Sequence, residues 1–258
     1  MSRIVILMYH IIDRARSKQE AKYCCPPDRF EAQMRYLRES GQNLLSLDQI
    51  ATAIQGRSAW PATGVGVTFD DGFRDTFRQA LPVLTRYNIP VTMFLLADRI
   101  GAHNHWMTPR GFPERELMSE SEMLEMQAAG VCIGSHTCSH PRLPQLDEAN
   151  CMAEIKVSRE KLQALTGSAV NHFAYPFGLY DDKALTAVAA AGYLTACSTR
   201  SGFNGEGIEP YLLRRTEIYG KDTLWQFKQK LKFGANDISY TYPIRYYAGR
   251  MLSRFGRG

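Results

Sequence analysis

Two adjacent carboxylates, Asp70 and Asp71, end an apolar run in Thr68-Phe-Asp-Asp-Gly72, and two histidines four apart stand in Ser135-His-Thr-Cys-Ser-His140. Consecutive side chains diverge, so the carboxylates can take different parts. One can bind a metal ion while its neighbour takes a proton from water. Gly72 lets the chain turn away sharply. A plain helix cap is the competing reading, because Asp often starts helices. His136 and His140 can aim both rings at one ion if the chain between them makes a helical turn. Two imidazoles and a carboxylate leave positions open for water and substrate, as a catalytic site of the zinc type requires. Cys138 lies between them, and its intervening position points it away, although thiolates suit zinc.

A third cluster, Phe173-Ala-Tyr-Pro-Phe-Gly178, reads as a strand followed by a turn. Pro176 fixes the backbone and Gly178 permits a bend. Such a turn can present a backbone N–H, that of Phe177, to a developing oxyanion, with Tyr175 and Pro176 beside the substrate. The alternative is a strand exit lined with aromatic rings.

The elements that must hold these clusters alternate between strand and helix. Ile4 to Met8 is a continuous apolar run, the mark of a strand buried on both faces. Further strands are expected at 64–69, 90–96, 131–134, 172–175, 193–198 and 212–218. Helices are expected from Asp28 to about Ser40, from Ser46 or Asp48 onward, after Gly72 to about Tyr87, and over 120–129. Three more are expected over 147–166, 181–191 and 223–233. About seven parallel βαβ units predict an α/β fold, a distorted (β/α) barrel with each cluster at the carboxyl edge of a strand. The segment from Gly101 to Pro113, with His103, His105 and Trp106, reads as a long loop near the site, its histidines facing substrate.

Composition fits one folded domain over 1–258: 258 residues, 45% hydrophobic and 22% charged. The apolar run at the amino terminus is too short to span a bilayer and lacks a signal-type cleavage site. A cytoplasmic chain is therefore expected, at most at the inner face of the membrane. Six cysteines without a CxxC pattern read as reduced thiols. The net charge of +5 is uneven, because the tail 245–258 carries four arginines and no acid among its aromatic residues. That tail is either a solvated end or a basic amphipathic segment on an anionic membrane. No recognised motif accompanies the charge, so nucleic acid is not an expected partner.

The three clusters, in this order and at these gaps, resemble the polysaccharide deacetylase family, carbohydrate esterase family 4 with its NodB-like domain. The likeness includes Pro90-Val-Thr-Met-Phe-Leu-Leu96 and the Ala-Ala-Gly130 lead-in to His136, and it covers nearly the whole chain. It implies one divalent metal ion, zinc first, held by Asp71, His136 and His140, with Asp70 as general base and an acetylated glycan as substrate. Two departures stand out. Family members commonly carry an arginine where this chain has Ala174, and Arg214 or Arg215 on the last strand are the candidates to replace it near the substrate. No Leu-x-His follows near the carboxyl end, and the last of the six histidines is His172. The chain looks like the exopolysaccharide-deacetylase branch, in which an amino-terminal Tyr-His replaces the late histidine. Here that is His10, the expected general acid. His172 is expected to be structural. The competing functions are a metal-independent cyclic amide hydrolase and a carbohydrate-binding barrel without catalysis.

Overall fold

In the computed structural model, which describes residues 2–255 and side chains through Ala248, strand β1 (Arg3–Tyr9) lies inside the sheet, next to its last strand. Its seven residues pair in parallel with β2 (Thr63–Phe69) on one side, and Ile6 to Met8 pair with β7 (Arg215–Glu217) on the other. Beyond β2 follow β3 (Val91–Leu95), β4 (Cys132–Ser135), β5 (His172–Ala174) and β6 (Thr195–Cys197). All seven strands are parallel, in the order β6-β5-β4-β3-β2-β1-β7. Between β6 and β7 there is no regular ladder. A bridge between Cys197 and Leu213 spans the gap, through Ser198 N–H to Leu213 O and Leu213 N–H to Ala196 O. The result is a nearly closed (β/α) barrel, distorted at that seam.

Alternation along the strands explains the two sides of the wall. Ile4 and Ile6 pack with Phe94, Ala174, Cys197 and Leu213, whereas Val5, Leu7 and Tyr9 join the larger cluster beneath the helices. Those helices are α1 (Pro27–Glu39), α2 (Leu47–Ile54), α3 (Leu81–Arg86), α4 (Glu120–Ala128), α5 (Glu148–Thr166), α6 (Asp182–Ala190) and α7 (Leu224–Phe233). Every strand and helix expected from the sequence is present, with ends that differ by a few residues, β1 and β2 longer and most others shorter. The caps are local chemistry. Ser46, Ser119, Asp147, Asp181 and Thr223 each accept a backbone N–H from the first turn of a helix. Asp28 does not cap α1. Pro26 holds that place without a side-chain cap, and Pro27 follows at the first helical position, where a missing N–H leaves no orphan donor.

Two further departures were not foreseen. The helix after Gly72 opens with a π-helical segment over Thr76–Ala80 before α3. A last helix, α8 (Tyr242–Phe255), follows α7. The basic tail 245–258 belongs partly to α8, and from residue 249 its side chains lie outside the described residues. No helix among the described residues is long and apolar enough to cross a membrane.

Candidate active site

The carboxyl ends of β1, β2, β4 and β5 deliver His10, Asp70 and Asp71, His136, and Tyr175 to one cavity of about 270 Å³. Phe177, His140, Lys22, Tyr23, Trp106, Arg110 and Glu217 also line it. The backbone bends hardest here. Among the described residues, the non-glycine positions with left-handed φ are Asp71, Asn88, Thr137, His140 and Phe177, and all but Asn88 belong to the site or its connecting turn. Such conformations cost of order 1–3 kcal/mol each and persist where surrounding structure fixes them.

At β2, Thr68 donates to Leu7 O and Asp70 N–H donates to Tyr9 O, which locks the strand end against β1. Asp71 then takes φ 73° and Gly72 φ 78°, so consecutive carboxylates part company. Asp70 turns to Arg215, and Asp71 turns to the histidines. The histidine spacing works differently from the expected helical turn. Thr137 at φ 75° and His140 at φ 69° curl the chain, and the Thr137 hydroxyl accepts the His140 N–H at 3.0 Å. Glu154 of α5 ties the loop down, accepting the N–H groups of Cys138 and Ser139 and the Ser139 hydroxyl.

His136 Nε2 lies 3.6 Å and His140 Nε2 3.4 Å from Asp71 Oδ1. Two donor atoms on one tetrahedral ion at about 2.0–2.1 Å stand roughly 3.3–3.4 Å apart, so this spacing fits a shared ion. Three further observations agree. Asp71 Oδ1 is buried with no hydrogen-bond partner. Burial, with the Asp70 charge beside it, pushes the Asp71 carboxyl well above the usual range, and a cation would reverse that. His136 Nδ1 sits 2.6 Å from Ala174 O, which leaves Nε2 as the free lone pair, and burial lowers this imidazole to about 4. His140, also lowered by burial, has its ring fixed by Phe177 and Trp106, at centroid distances of 4.5 and 5.1 Å. The residues present therefore fit a divalent ion. Cys138 is buried with its thiol pushed up to about 12, and it is not among the convergent donor atoms.

Asp70 is held differently. Arg215 donates to its Oδ1 at 2.6 Å and Oδ2 at 2.7 Å. Burial opposes ionisation, but the charge and hydrogen bonds of Arg215, with the His136 and His10 rings, together outweigh it and hold this carboxyl at about 2. Of the two arginine candidates it is Arg215 that pairs with Asp70, approaching from β7 rather than from the Ala174 position on β5. The expectation of substrate contact is corrected, because Arg215 is fully buried behind Asp70. Arg214 is exposed on the opposite side of the strand, beside Gly202, and does not reach the cavity. Pro176 is buried and shapes the turn without lining the cavity. Tyr175 does line it, with its hydroxyl buried and unpartnered.

Phe177 adopts φ 58° inside the turn, where Gly178 and Leu179 donate to Tyr175 O and Pro176 O and leave the Phe177 N–H out of both bonds. Gly178 is required at its place, because at φ 68° a Cβ would stand 2.0 Å from Thr199 Oγ1. His10 leans edge-on against Tyr23 at 5.1 Å and its Nδ1 has no partner. Burial lowers its pKa, against the charges of Asp70 and Glu217, which favour the protonated ring. The expected role of His103 and His105 is corrected. His103 is half-buried and His105 exposed, both beside Glu114, and their loop reaches the cavity through Trp106, Met107 and Arg110 instead.

Lys22, Tyr23 and Glu217 were not singled out from the sequence. Lys22 pairs with Glu217 at 2.9 Å across the cavity wall. Glu217 alone carried a signal, since it stands two residues after Arg215 and shares its face of the strand.

A parallel barrel with a two-histidine, one-carboxylate cluster and a second, ionised carboxylate at its carboxyl rim has the donor set that a hydrolase-type metal centre would use. The sequence pattern described as polysaccharide deacetylase matches residues 59–196, and this chain belongs to that family, among the carbohydrate deacetylases. It is 28% identical over 217 residues to the YxkH protein of Bacillus subtilis, covering 84% of this chain and 72% of that one. It is 25% identical over 185 residues to the poly-beta-1,6-N-acetyl-D-glucosamine N-deacetylase of Staphylococcus aureus, covering 68% of this chain and 61% of that protein. Among solved structures it superposes on the Streptococcus pyogenes deacetylase PplD with TM-score 0.76 and 26% identity, over 89% of this chain and 98% of that one. A polysaccharide deacetylase from Bacillus cereus gives TM-score 0.75 and 29% identity, over 89% and 69%.

Proposed function

We propose that this chain removes N-acetyl groups from an amino sugar in a polysaccharide, oligosaccharide or lipid-linked glycan precursor, releasing acetate, and depends on a divalent ion held by Asp71, His136 and His140. The carrying observation is the convergence of those three donors at ligand spacing beside an ionised Asp70. The relative from Staphylococcus aureus, named for a β-1,6-linked N-acetylglucosamine polymer, supports a substrate of the exopolysaccharide kind.

A zinc-type ion bound there polarises a carbonyl and lowers the pKa of a bound water. The chain's own residues do the rest. Arg215 fixes Asp70 in place while each carboxylate oxygen keeps a lone pair to accept the proton of the attacking water. The Phe177 N–H donates to the oxyanion that forms at the acetyl carbon. His10 gives a proton to the sugar nitrogen as the C–N bond breaks, so the products are acetate and a free amine. Trp106 walls the cavity against the sugar, and its aromatic face suits the sugar's apolar C–H side, while the fully buried Tyr175 backs the wall.

The test is acetate release from N-acetylglucosamine oligomers with and without a chelator, comparing the natural chain with Asp70→Asn and His10→Ala. Metal-dependent release that both substitutions abolish is the expected result. Release that survives chelation, or Asp70→Asn at full rate, would overturn the reading.

A further inference from the structure

A second group of metal-binding side chains lies at the opposite end of the barrel from the candidate active site. Asp48 in the first turn of α2, Cys132 at the start of β4 and His172 at the start of β5 place a carboxylate oxygen, a sulfur and a ring nitrogen within 4.8 Å of one another. His136 follows Cys132 by four residues along β4, so the two centres are roughly 13 Å apart at about 3.3 Å per residue. The active-site reading gives these three residues no work.

The arrangement has the features of a built site. His172 is fully buried, with Nδ1 2.8 Å from Thr195 Oγ1 and Nε2 3.1 Å from Asp48 Oδ1. A hydroxyl partner on one ring nitrogen fixes the ring and aims the other, the usual support of a ligating histidine. Cys132 is the register partner of Thr92 on β3, and the Thr92 hydroxyl is buried with no well-formed hydrogen bond. Asp48 is half exposed, which leaves an entry path and a position for water. Sulfur, imidazole and carboxylate together suit a borderline-soft ion, above all zinc, and disfavour magnesium or calcium.

We propose that Asp48, Cys132 and His172 form a second, structural site for a zinc-type divalent ion, which clamps α2 to the amino-terminal ends of β4 and β5. Its ion is chemically separate from that of the active site, because one donor set contains a thiol and the other does not. Thiolate formation releases the Cys132 proton to solvent, and no oxidant or reductant takes part.

That difference makes the test direct. The reduced full-length chain is titrated with cobalt(II) and followed by absorption. A thiolate ligand gives a sulfur-to-cobalt charge-transfer band in the near ultraviolet, whereas the Asp71, His136, His140 centre gives only ligand-field bands. The expected band saturates by two equivalents per chain in the natural protein and at one in His136→Gln, and it is displaced by zinc. It persists in His136→Gln and disappears in Cys132→Ser and His172→Gln. Zinc also raises the melting temperature of His136→Gln but not of Cys132→Ser/His136→Gln. No charge-transfer band in the natural chain, or a band that survives Cys132→Ser, would overturn the proposal and leave His172 with an ordinary hydrogen bond to Asp48.

Discussion

Arg215 meets Asp70 through both terminal nitrogens, at 2.6 and 2.7 Å, and both side chains are buried. Arg215 also donates to Ser198 O and stands over the Phe94 ring at 5.4 Å, so its fork is fixed from several sides. A planar five-donor group pre-set in this way orients a carboxylate as well as neutralising it. Removing the partner of a buried ion pair costs about 3–5 kcal/mol, because an uncompensated charge remains. Arg215→Met is therefore expected to lower stability by that amount and activity by roughly a hundredfold or more. Arg215→Lys keeps the charge and loses the fork. It should recover much of the stability, read by denaturant unfolding, and little of kcat. Equal recovery of both would show that charge alone matters.

Two ligand substitutions separate metal binding from folding. His140→Gln removes a ring held mainly by aromatic neighbours, whereas His136→Gln also breaks the contact with Ala174 O. Both should lose ion affinity at the active site, measured by competition with a chromophoric chelator, and lose acetate release with it. His136→Gln is expected to be the less stable of the two by about 1 kcal/mol, the typical net worth of a buried hydrogen bond. Chelation of the natural chain should abolish release, and added zinc should restore it. Restoration by zinc in His140→Gln to the natural rate would remove His140 from the ligand set.

The motif residues were legible because each ends a strand whose apolar run is local. Asp71, His136 and His140 converge as expected once the barrel brings β2 and β4 to one rim. What was not legible is long-range. The choice between Arg214 and Arg215 depends on which face of β7 looks inward, and a three-residue strand gives too little alternation to decide it. Lys22 and Tyr23 reach the cavity from a loop with no chemical motif, placed against the barrel by contacts far away in sequence. The left-handed residues Thr137 and His140 carry no glycine signal, because neighbouring hydrogen bonds rather than intrinsic preference impose them.

Those distant contacts centre on Arg115. Its guanidinium is fully buried and donates to Glu20, Asp13 and Asp75 and to Arg14 O, joining the loop that bears Lys22 and Tyr23 to the loop that bears Trp106 and Arg110. Burial works against ionisation of Glu20 and Asp13, but the Arg115 hydrogen bonds, backbone N–H donors and the Arg115 and Arg16 charges together outweigh it and hold both carboxyls below their usual values. Groups with a depressed folded pKa contribute stability above the unfolded value, and that contribution is lost as pH falls through the folded value. Stability should thus hold from neutral pH to about 4.5, then fall steadily below it as these acids protonate. Arg115→Met removes the cause. Its melting temperature should be lower at pH 7 and should change less between about pH 4.5 and 3. An acid limb as steep as in the natural chain would assign the acid sensitivity to other carboxylates.

Phe177 offers two separable contributions, an N–H outside the hydrogen bonds of its turn and a ring packed on His140 beneath Arg142, whose guanidinium lies 4.7 Å from the ring centre. If the backbone donor serves the oxyanion, side-chain truncation and loss of the N–H must differ. Phe177→Gly keeps the N–H and relieves a left-handed conformation that costs a non-glycine residue about 1 kcal/mol or more. Its kcat should stay within about tenfold, with the loss expressed in KM and in ion affinity as the His140 ring loosens, since only interactions made in the transition state alone lower kcat. Phe177→Pro deletes the donor, but it also forbids the observed φ of 58° and so disturbs the turn. The cleaner deletion is an amide-to-ester replacement at Phe177, made by semisynthesis. It keeps side chain and turn geometry while the donor is lost. Loss of one oxyanion donor costs about a hundredfold to a thousandfold in kcat. A change of that size in the ester, with Phe177→Gly nearly unaffected, would assign the donor to the backbone, whereas an ester as active as the natural chain would remove Phe177 from the chemistry and leave its ring as a brace for His140.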